Sequence, residues 1–338
     1  MKAFEIRGGF GLDNLVLTER PDPRPGHSEV LLRVRAVSLN YRDLLTIRGQ
    51  YNPKQKLPLI PCSDGAGEVV AVGEGVTRVK PGERVCVSFA PRWIAGEPTR
   101  EKLRSTLGGP LDGVLAEQIV LSEEGVVRVP DHLSDEEAAT LPCAALTAWS
   151  ALVTEGRLPA GATVLLQGTG GVSIFALQFA KLLGLRAIIT SSSDEKLERA
   201  RKLGADEGIN YRQTPEWGAR VKELTGGIGV DHVVEVGGAG TLKQSLQAVR
   251  LGGTVSLMGV LAGNALELPL PLIFMQRVRV QGLLVGSREG FEAMNRAIAL
   301  HSLHPVIDRV FPFADTRAAL DLMDHGGHFG KICITLRA

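Results

Sequence analysis

From residue 163 to residue 285 the chain alternates short apolar strands with helical segments, and this alternation constrains the fold more than any other sequence feature. Apolar runs at 163–167, 186–191 and 230–236 each precede a stretch with helical periodicity. Because parallel strands need a long crossover connection, repeated strand–helix units predict a parallel sheet covered by helices. We therefore expect an α/β fold with a doubly wound parallel sheet in this part of the chain.

A glycine-rich turn connects the strand at 163–167 to its helix. Its sequence is Gly168-Thr169-Gly170-Gly171-Val172-Ser173. Gly168 allows a tight turn, Gly170 lets a pyrophosphate approach the backbone, and the helix beginning near Gly171 offers free N–H groups and the positive end of its dipole. Ser173 replaces the third glycine of the dinucleotide fingerprint, and a small serine is compatible with helix–strand packing. We predict dinucleotide binding by residues 168–172.

The end of the next strand distinguishes between the two nicotinamide dinucleotides. An NAD site normally places Asp or Glu there to bind the ribose 2′-hydroxyl. Ser191 stands at about that position, followed by Ser192 and, further on, Lys196. Hydroxyl groups and an ammonium suit a 2′-phosphate, which a carboxylate would repel. The pattern favours NADP(H) over NAD(H). Two alternatives stay open: one of these serines only caps the next helix, or Asp194 acts as the acid.

The first 130 residues show a different pattern, in which short apolar runs are separated by turn residues. Strands of this length and spacing indicate a β-rich, barrel-like module. Residues 90–112 contain several Gly and Pro and are expected to form a long loop, a kind of segment that is often functional. Further on, we predict helices at 291–300 and 316–323. A final strand at 331–336 needs a partner and is expected to return to the first module.

Composition excludes several classes of function. The 338 residues include 38 Lys and Arg against 37 Asp and Glu, so a net charge of +1 gives no electrostatic reason to expect a nucleic-acid or membrane partner. There is no long apolar run and no signal-peptide pattern. The 4 Cys lie far apart without a C-x-x-C motif, which argues against a disulfide framework. We expect a cytoplasmic protein with two domains.

Three segments carry a resemblance to a known superfamily. In chain order they are Pro61-Cys-Ser-Asp-Gly-Ala-Gly-Glu-Val, Lys80-Pro-Gly-Glu-Arg-Val and Leu141-Pro-Cys-Ala-Ala-Leu-Thr-Ala-Trp. Together with the glycine-rich turn and the final Gly330-Lys331-Ile-Cys-Ile, their order and spacing resemble the medium-chain dehydrogenase/reductase superfamily. The resemblance implies a GroES-like, β-rich catalytic domain (residues 1–143 and 287–338) and a Rossmann dinucleotide-binding domain (residues 144–286).

The resemblance also indicates what this chain lacks. In zinc-containing members, the metal ligands are a Cys, a His and a second Cys, which correspond here to Asn40, Ser63 and Cys143. Catalytic zinc requires three protein ligands of nitrogen, sulfur or carboxylate type, and only Cys143 remains. Asp43 and Asp64 are alternative ligands, but a thiolate with two carboxylates and no His is a poor set for zinc. We therefore expect no bound metal.

The segment Asn40-Tyr-Arg-Asp, followed later by Tyr51, resembles the zinc-free quinone oxidoreductases. The resemblance implies that Asn40, Arg42 and Tyr51 supply hydrogen-bond donors for the reaction, with Asp43 beside them. Alternatively, Asp43 only orients Arg42 or caps a helix. Further positions that match cofactor-contacting residues, or lie where strands of the Rossmann unit end, are Thr147, Tyr211, Gly237, Val260, Leu283, Val285 and Lys331.

These residues lead us to expect an NADPH-dependent, zinc-free oxidoreductase that transfers hydride to a small quinone, enone or related carbonyl compound. Two alternatives are an alcohol dehydrogenase and a non-catalytic NADPH-binding protein, because a fold alone does not determine function. The apolar run at 278–285 corresponds to a strand that pairs across a dimer in the superfamily. An unpaired apolar edge would favour aggregation, so a homodimer is expected.

Overall fold

The computed structural model describes residues 1–336, which form two compact units. Unit 1 comprises Met1–Leu146 together with the chain from Gly286 onward, and unit 2 comprises Thr147–Val285. The sheet of unit 2 is parallel, whereas that of unit 1 is largely antiparallel. In the described part of the chain, no helix is long and apolar enough to cross a membrane.

The chain contains 15 strands and 11 α-helices within residues 1–336. The first part of unit 1 contains β1 (Lys2–Ile6), β2 (Leu15–Glu19), β3 (Glu29–Ser38), α1 (Tyr41–Ile47), β4 (Asp64–Val72), β5 (Arg84–Val87), α2 (Arg100–Leu103), β6 (Gln118–Ser122), β7 (Val126–Arg128) and α3 (Asp135–Ala139). Two π-helical turns, Leu141–Ala145 and Ser150–Thr154, flank α4 (Leu146–Trp149). Unit 2 continues with β8 (Thr163–Gln167), α5 (Gly171–Leu182), β9 (Arg186–Ser191), α6 (Asp194–Lys202), β10 (Glu207–Asn210), α7 (Trp217–Leu224), β11 (Val230–Glu235), α8 (Leu242–Ala248), β12 (Val249–Leu257), α9 (Pro271–Phe274) and β13 (Arg279–Gly282). Unit 1 is completed by α10 (Arg288–Leu300), β14 (Ile307–Pro312), α11 (Thr316–Asp324) and β15 (Lys331–Thr335).

The sheet of unit 2 has six parallel strands in the order β10-β9-β8-β11-β12-β13. Its central strands are buried because helices cover both faces, and Leu165, Val233 and Val255 share one core with Trp217 of α7. The expected doubly wound parallel sheet is confirmed. The strand order reverses between β8 and β11, and ligands of such sheets bind beside the carboxyl ends of the strands at that reversal.

β3 is the central strand of unit 1. It pairs antiparallel with β4, β6 and β15 in a seven-stranded sheet. The C-terminal strand returns to the first part of the chain, as the sequence predicted, because Cys333 lies opposite Ser38 and Ile334 lies opposite Val37. This register brings the start of β15 beside the residues that follow β3.

The boundaries of most elements agree with the sequence-based predictions. At the start of α3, the Glu137 N–H donates to Ser134 Oγ at 3.1 Å and the Ser134 N–H donates to the Glu137 carboxylate at 2.9 Å, and these two bonds form a capping box. Two predictions differ from the structure. The loop at 90–112 contains helix α2. β13 ends at Gly282, before Val285, whose φ of +41° lies outside the β region.

Candidate functional site

The glycine-rich turn lies at the carboxyl edge of the parallel sheet, between β8 and α5. Gly168 has a φ of +69°, a conformation that favours glycine. A Cβ atom on Gly168 or Gly170 would have no neighbour within 4 Å, so the space above the turn is open. Among the described residues no side chain caps the N-terminus of α5, which leaves its first N–H groups available to an anion. Thr169 is buried and Val172 half-buried. The turn therefore fits a pyrophosphate group.

Glu235 closes β11 with a fully buried carboxylate, and five hydrogen-bond donors surround it. The backbone N–H groups of Gly237 and Gly238 donate at 2.8 and 3.0 Å, and the Thr241 hydroxyl donates at 2.6 Å. The remaining donors are the Gln167 amide, at 2.7 Å, and the Ser245 hydroxyl. Glu235 was not predicted from the sequence. The only sequence feature that points to it is its position as an acidic residue at the end of an apolar strand.

The Glu235 network joins the ends of neighbouring strands. Gln167, the last residue of β8, accepts N–H bonds from Val236 and Gly237 at 3.2 and 3.3 Å. The Gly237 carbonyl accepts the Ala262 N–H at 2.6 Å, and a Cβ on Gly237 would lie 2.2 Å from Thr241 Oγ1. Both polar backbone groups of Gly237, a predicted cofactor contact, are thus engaged within the protein. Gly237 therefore shapes the turn, and its contact with the cofactor stays a prediction.

The end of β9 carries hydroxyl groups. Ser191 is buried, and its Oγ accepts the Ser193 N–H at 3.3 Å. Ser193 caps α6 by accepting the Lys196 N–H at 3.3 Å, so one of the serines does cap this helix. The Asp194 carboxylate accepts hydrogen bonds from the side chains of Asn210 and Gln213, both at 2.8 Å. The Asp194 carboxylate therefore already accepts hydrogen bonds from two neighbouring side chains.

The remaining predicted cofactor contacts of unit 2 differ in exposure. Tyr211 is 41% exposed, and its N–H donates to the Ser191 carbonyl at 3.0 Å. Thr147 is buried, and Val260 is half exposed in the loop after β12. Val285 is buried at positive φ, a strained conformation for a β-branched residue. Ser192 and Leu283 are half-buried. Such strain is often found at functional sites, and these cofactor contacts stay predictions.

In unit 1, the start of α1 gathers predicted catalytic residues. The Asp43 carboxylate accepts the Asn40 backbone N–H at 2.8 Å and so caps the helix. The Arg42 guanidinium donates to the carbonyls of Leu107 and Gly109 at 2.9 and 3.1 Å and lies 4.9 Å from the centroid of the Tyr51 ring. Arg42 therefore holds the loop at 105–111 through two hydrogen bonds, while Asp43 caps the N-terminus of α1.

Lys331, a predicted cofactor contact, lies beside Asn40. Lys331 as a whole is only 3% exposed, and its ammonium donates to the Leu39 carbonyl at 2.5 Å and to Asn40 Oδ1 at 2.7 Å. Asp64 is fully buried nearby; it accepts the Ser63 hydroxyl at 2.7 Å and the Cys143 N–H at 2.9 Å. The structure thus assembles one buried polar cluster from four distant segments of unit 1.

Burial raises the pKa values of the acidic groups in this cluster. It raises the pKa of Asp43 to about 6, although Arg42 and the Asn40 N–H oppose the shift. Burial also raises the pKa of Asp64, against the opposing effects of Lys331, Ser63 and Asn40. The pKa of the Cys143 thiol is raised by burial and by Asp64. A thiol under these conditions is protonated and a poor nucleophile.

Two family models match this chain: the alcohol dehydrogenase GroES-like domain over residues 26–131 and the zinc-binding dehydrogenase over residues 171–300. A zinc-type alcohol dehydrogenase-like protein of Schizosaccharomyces pombe is 42% identical over 335 residues, which cover 96% of each chain. The chain belongs to the medium-chain dehydrogenase/reductase superfamily. It combines the GroES-like domain with the Rossmann-like sheet of these oxidoreductases, and the open glycine-rich turn fits their nicotinamide cofactor.

Solved structures of this superfamily match nearly the whole chain. A putative alcohol dehydrogenase from Sinorhizobium meliloti 1021 has a TM-score of 0.92 and 44% identity, covering 99% of this chain and 98% of that one. A mycobacterial quinone oxidoreductase has a TM-score of 0.81 and 27% identity, with 99% of both chains covered. A mycobacterial protein complexed with NADPH has a TM-score of 0.83 and 27% identity, with the same coverage.

Zinc does not fit the residues that this member of the superfamily has at the ligand positions. They present the amide of Asn40, the hydroxyl of Ser63 and the half-buried thiol of Cys143. The Asn40 oxygen already accepts from an ammonium, and the Ser63 hydroxyl donates to Asp64. Within residues 1–336, no three His, Cys, Asp or Glu side chains gather as a metal-binding group. The set lacks the three ligands that a catalytic zinc ion requires.

Proposed function

We propose that the protein is an NADPH-dependent oxidoreductase that reduces a small quinone, enone or related carbonyl compound without zinc. The observation that carries this proposal is the buried cluster of Asn40, Asp64 and Lys331. In it, an amide stands at a position where zinc-containing relatives have a metal ligand, and an ammonium lies beside that amide. Donors of this kind stabilise the negative charge that develops on a carbonyl oxygen during reduction.

The preference for NADPH rests on the end of β9. Ser191 stands where NAD sites carry an acid, and the Asp194 carboxylate is held by Asn210 and Gln213. At the position where an NAD site has a carboxylate, a 2′-phosphate would meet the hydroxyl of Ser191. The mycobacterial relative complexed with NADPH is consistent with this choice.

The bound nicotinamide would supply the hydride. The chain's own residues perform the remaining tasks. The turn at Gly168–Gly171 and the N-terminus of α5 bind the pyrophosphate, and Glu235 fixes the neighbouring turn. Asn40 donates a hydrogen bond to the carbonyl oxygen. Arg42 holds the loop at 105–111 in place through two carbonyl groups, and the proton comes from water.

We also propose that the enzyme forms a homodimer and is located in the cytoplasm. β13 is an edge strand, and the preceding segment exposes Leu270, Phe274 and Met275 by 66%, 62% and 68%. Apolar side chains exposed together beside a sheet edge favour association with a second copy. The 4 cysteines are free, as expected in a reducing compartment. Light scattering at micromolar concentration should give twice the mass of the chain; a monomer would contradict the dimer.

The decisive experiment measures turnover with NADPH and NADH on a panel of quinones and enones, with and without a strong zinc chelator, alongside the metal content of the purified protein. We expect NADPH-driven reduction that the chelator leaves unchanged, in protein without stoichiometric zinc. Complete loss of activity that added zinc restores would overturn the proposal. NADPH binding without turnover of any acceptor would instead indicate a binding protein.

An alcohol dehydrogenase activity is a second candidate, because the relative that is 42% identical carries a zinc-type alcohol dehydrogenase-like name. The two candidates differ in the favoured substrate. Oxidation of a panel of primary and secondary alcohols with NADP⁺, at rates above those of quinone and enone reduction, would favour the alcohol dehydrogenase.

A further inference from the structure

The Lys331 ammonium is a buried cation with defined partners. Its two hydrogen bonds, to the Leu39 carbonyl and to Asn40 Oδ1, both lie within unit 1, and the side chain is 3% exposed. An isolated buried charge is costly unless hydrogen bonds and an opposite charge compensate it. Asp64 supplies that opposite charge, and Lys331 acts in turn to lower the pKa of Asp64.

The bond to Lys331 determines which way the Asn40 amide points. Because Oδ1 accepts from the ammonium, Nδ2 must face the opposite direction. Nδ2 is buried and makes no hydrogen bond of full geometry to any described residue, although it lies close enough to Asp64 to help lower that carboxyl's pKa. A buried amide donor that lacks a full hydrogen bond is destabilising, and a ligand with an acceptor oxygen would satisfy it.

We infer that Lys331 is a positioning residue for reduction: it fixes and polarises the Asn40 amide so that Nδ2 donates to the substrate's carbonyl oxygen. This inference rests on the proposed function. The charge-assisted bond at Oδ1 strengthens the donor at Nδ2, because hydrogen bonds in a chain polarise one another. Lys331 thus serves the substrate oxygen, and its ammonium does not contact the cofactor phosphates.

The test compares Lys331→Met, Lys331→Arg and Asn40→Ala with the control Lys80→Met, in which an exposed lysine of the same unit is changed in the same way. Calorimetry measures the Kd for NADPH, and steady-state kinetics measures kcat and KM on one enone. We expect Lys331→Met to lower kcat about 100-fold with an unchanged NADPH Kd, and Lys331→Arg to retain part of the activity. Lys80→Met should behave as the wild type.

A double variant shows whether Lys331 acts through Asn40. If it does, Lys331→Met added to Asn40→Ala lowers kcat no further than Asn40→Ala alone. Additive losses would overturn the inference, and so would an NADPH Kd that rises tenfold or more in Lys331→Met. If Lys331→Met fails to fold, Asp64→Asn with Lys331→Met removes both buried charges and replaces it in each measurement.

One readout does not depend on turnover. Benzamide carries an unreactive carbonyl oxygen, and its binding to the wild-type enzyme saturated with NADP⁺ is measured by calorimetry. The inference requires benzamide affinity to fall in Lys331→Met and Asn40→Ala while NADP⁺ affinity stays the same. Equal benzamide binding in all variants, or none to the wild type, overturns it. Failure of the proposed function would appear differently, as a wild-type enzyme that reduces no acceptor.

Discussion

Each unit contains a buried carboxylate centre, and the two centres are compensated in different ways. In unit 1, Asp43 and Asp64 are buried with the cations Arg42 and Lys331, and burial still raises the pKa of both acids. In unit 2, Glu235 is surrounded by five uncharged donors, three of them from the turn that follows it. The unit 2 carboxylate is compensated by uncharged donors alone, whereas the unit 1 carboxylates also lie beside cations.

The difference suggests a division of tasks. A carboxylate that accepts backbone N–H groups fixes the shape of a turn, which suits a site that must hold a cofactor. Carboxylates balanced by an ammonium and a guanidinium create a charged, poorly solvated environment, which suits a site where charge develops during reaction. Substitutions that change one centre at a time separate the two tasks.

The largest expected effect concerns the pH dependence of stability through Asp43. Its pKa is about 6 in the folded protein against an ordinary value of 3.8, so between about pH 4 and pH 6 the folded state binds more protons than the unfolded state. The free energy of unfolding therefore falls as pH rises through this range. Asp43→Asn removes this contribution. We expect the wild type to lose about 3 kcal/mol relative to Asp43→Asn across the range.

Urea unfolding at a series of pH values measures this effect. Asp13→Asn, at an exposed position of unit 1, should retain the wild-type slope. Parallel pH profiles for the wild type and Asp43→Asn would show that Asp43 titrates normally in the folded protein. The raised pKa of Asp43 would then no longer distinguish the unit 1 centre from the unit 2 centre.

The next effect is on catalysis. Asn40→Ala removes the amide that Lys331 holds, so we expect kcat to fall about 100-fold. NADPH affinity should not change, because the amide belongs to the centre that serves the substrate. Asn52→Ala, an exposed asparagine of the same unit, is the control. A weaker NADPH affinity in Asn40→Ala, with kcat preserved, would assign this centre to the cofactor.

Glu235→Gln tests the centre of unit 2, which uncharged donors compensate. An amide at 235 turns an NH2 group toward the Gln167 amide, so two donors face each other. We expect unfolding to become easier by about 2 kcal/mol and the NADPH Kd to rise about tenfold. Exchanging both residues, as Gln167→Glu with Glu235→Gln, restores a donor–acceptor pair and should recover most of the stability. Glu267→Gln, on the surface of unit 2, is the control.

Much of the fold could be predicted from the sequence because its signals are local. Helix α11 begins at Thr316 as predicted, and the glycine-rich turn joins a strand to a helix as its spacing indicated. Local signals fail where a tertiary constraint decides. The apolar run at 278–285 predicted a longer strand, but Val285 takes a positive φ and β13 ends at Gly282.

The centres themselves were harder to predict. Lys331 and Asn40 are 291 residues apart, and only the pairing of β15 with β3 brings them together. Glu235 was missed because its partners are backbone N–H groups and common polar side chains, which no sequence motif distinguishes. Family resemblance gave the positions where zinc ligands are replaced, but the ammonium at that place is visible only in the structure.

The smallest expected effect comes from adding a carboxylate at Ser191, outside both centres. Ser191 ends β9, and its hydroxyl accepts the Ser193 N–H. The nearby Asp194 carboxylate accepts hydrogen bonds from Asn210 and Gln213. Ser191→Asp would repel a 2′-phosphate and accept a hydrogen bond from a 2′-hydroxyl. We expect the ratio of NADPH to NADH affinity to fall about tenfold, equivalent to about 1.4 kcal/mol. Ser122→Asp, an exposed serine of unit 1, should leave the ratio unchanged. If Ser191→Asp also left it unchanged, the end of β9 would not face the ribose, and the preference for NADPH would need another source.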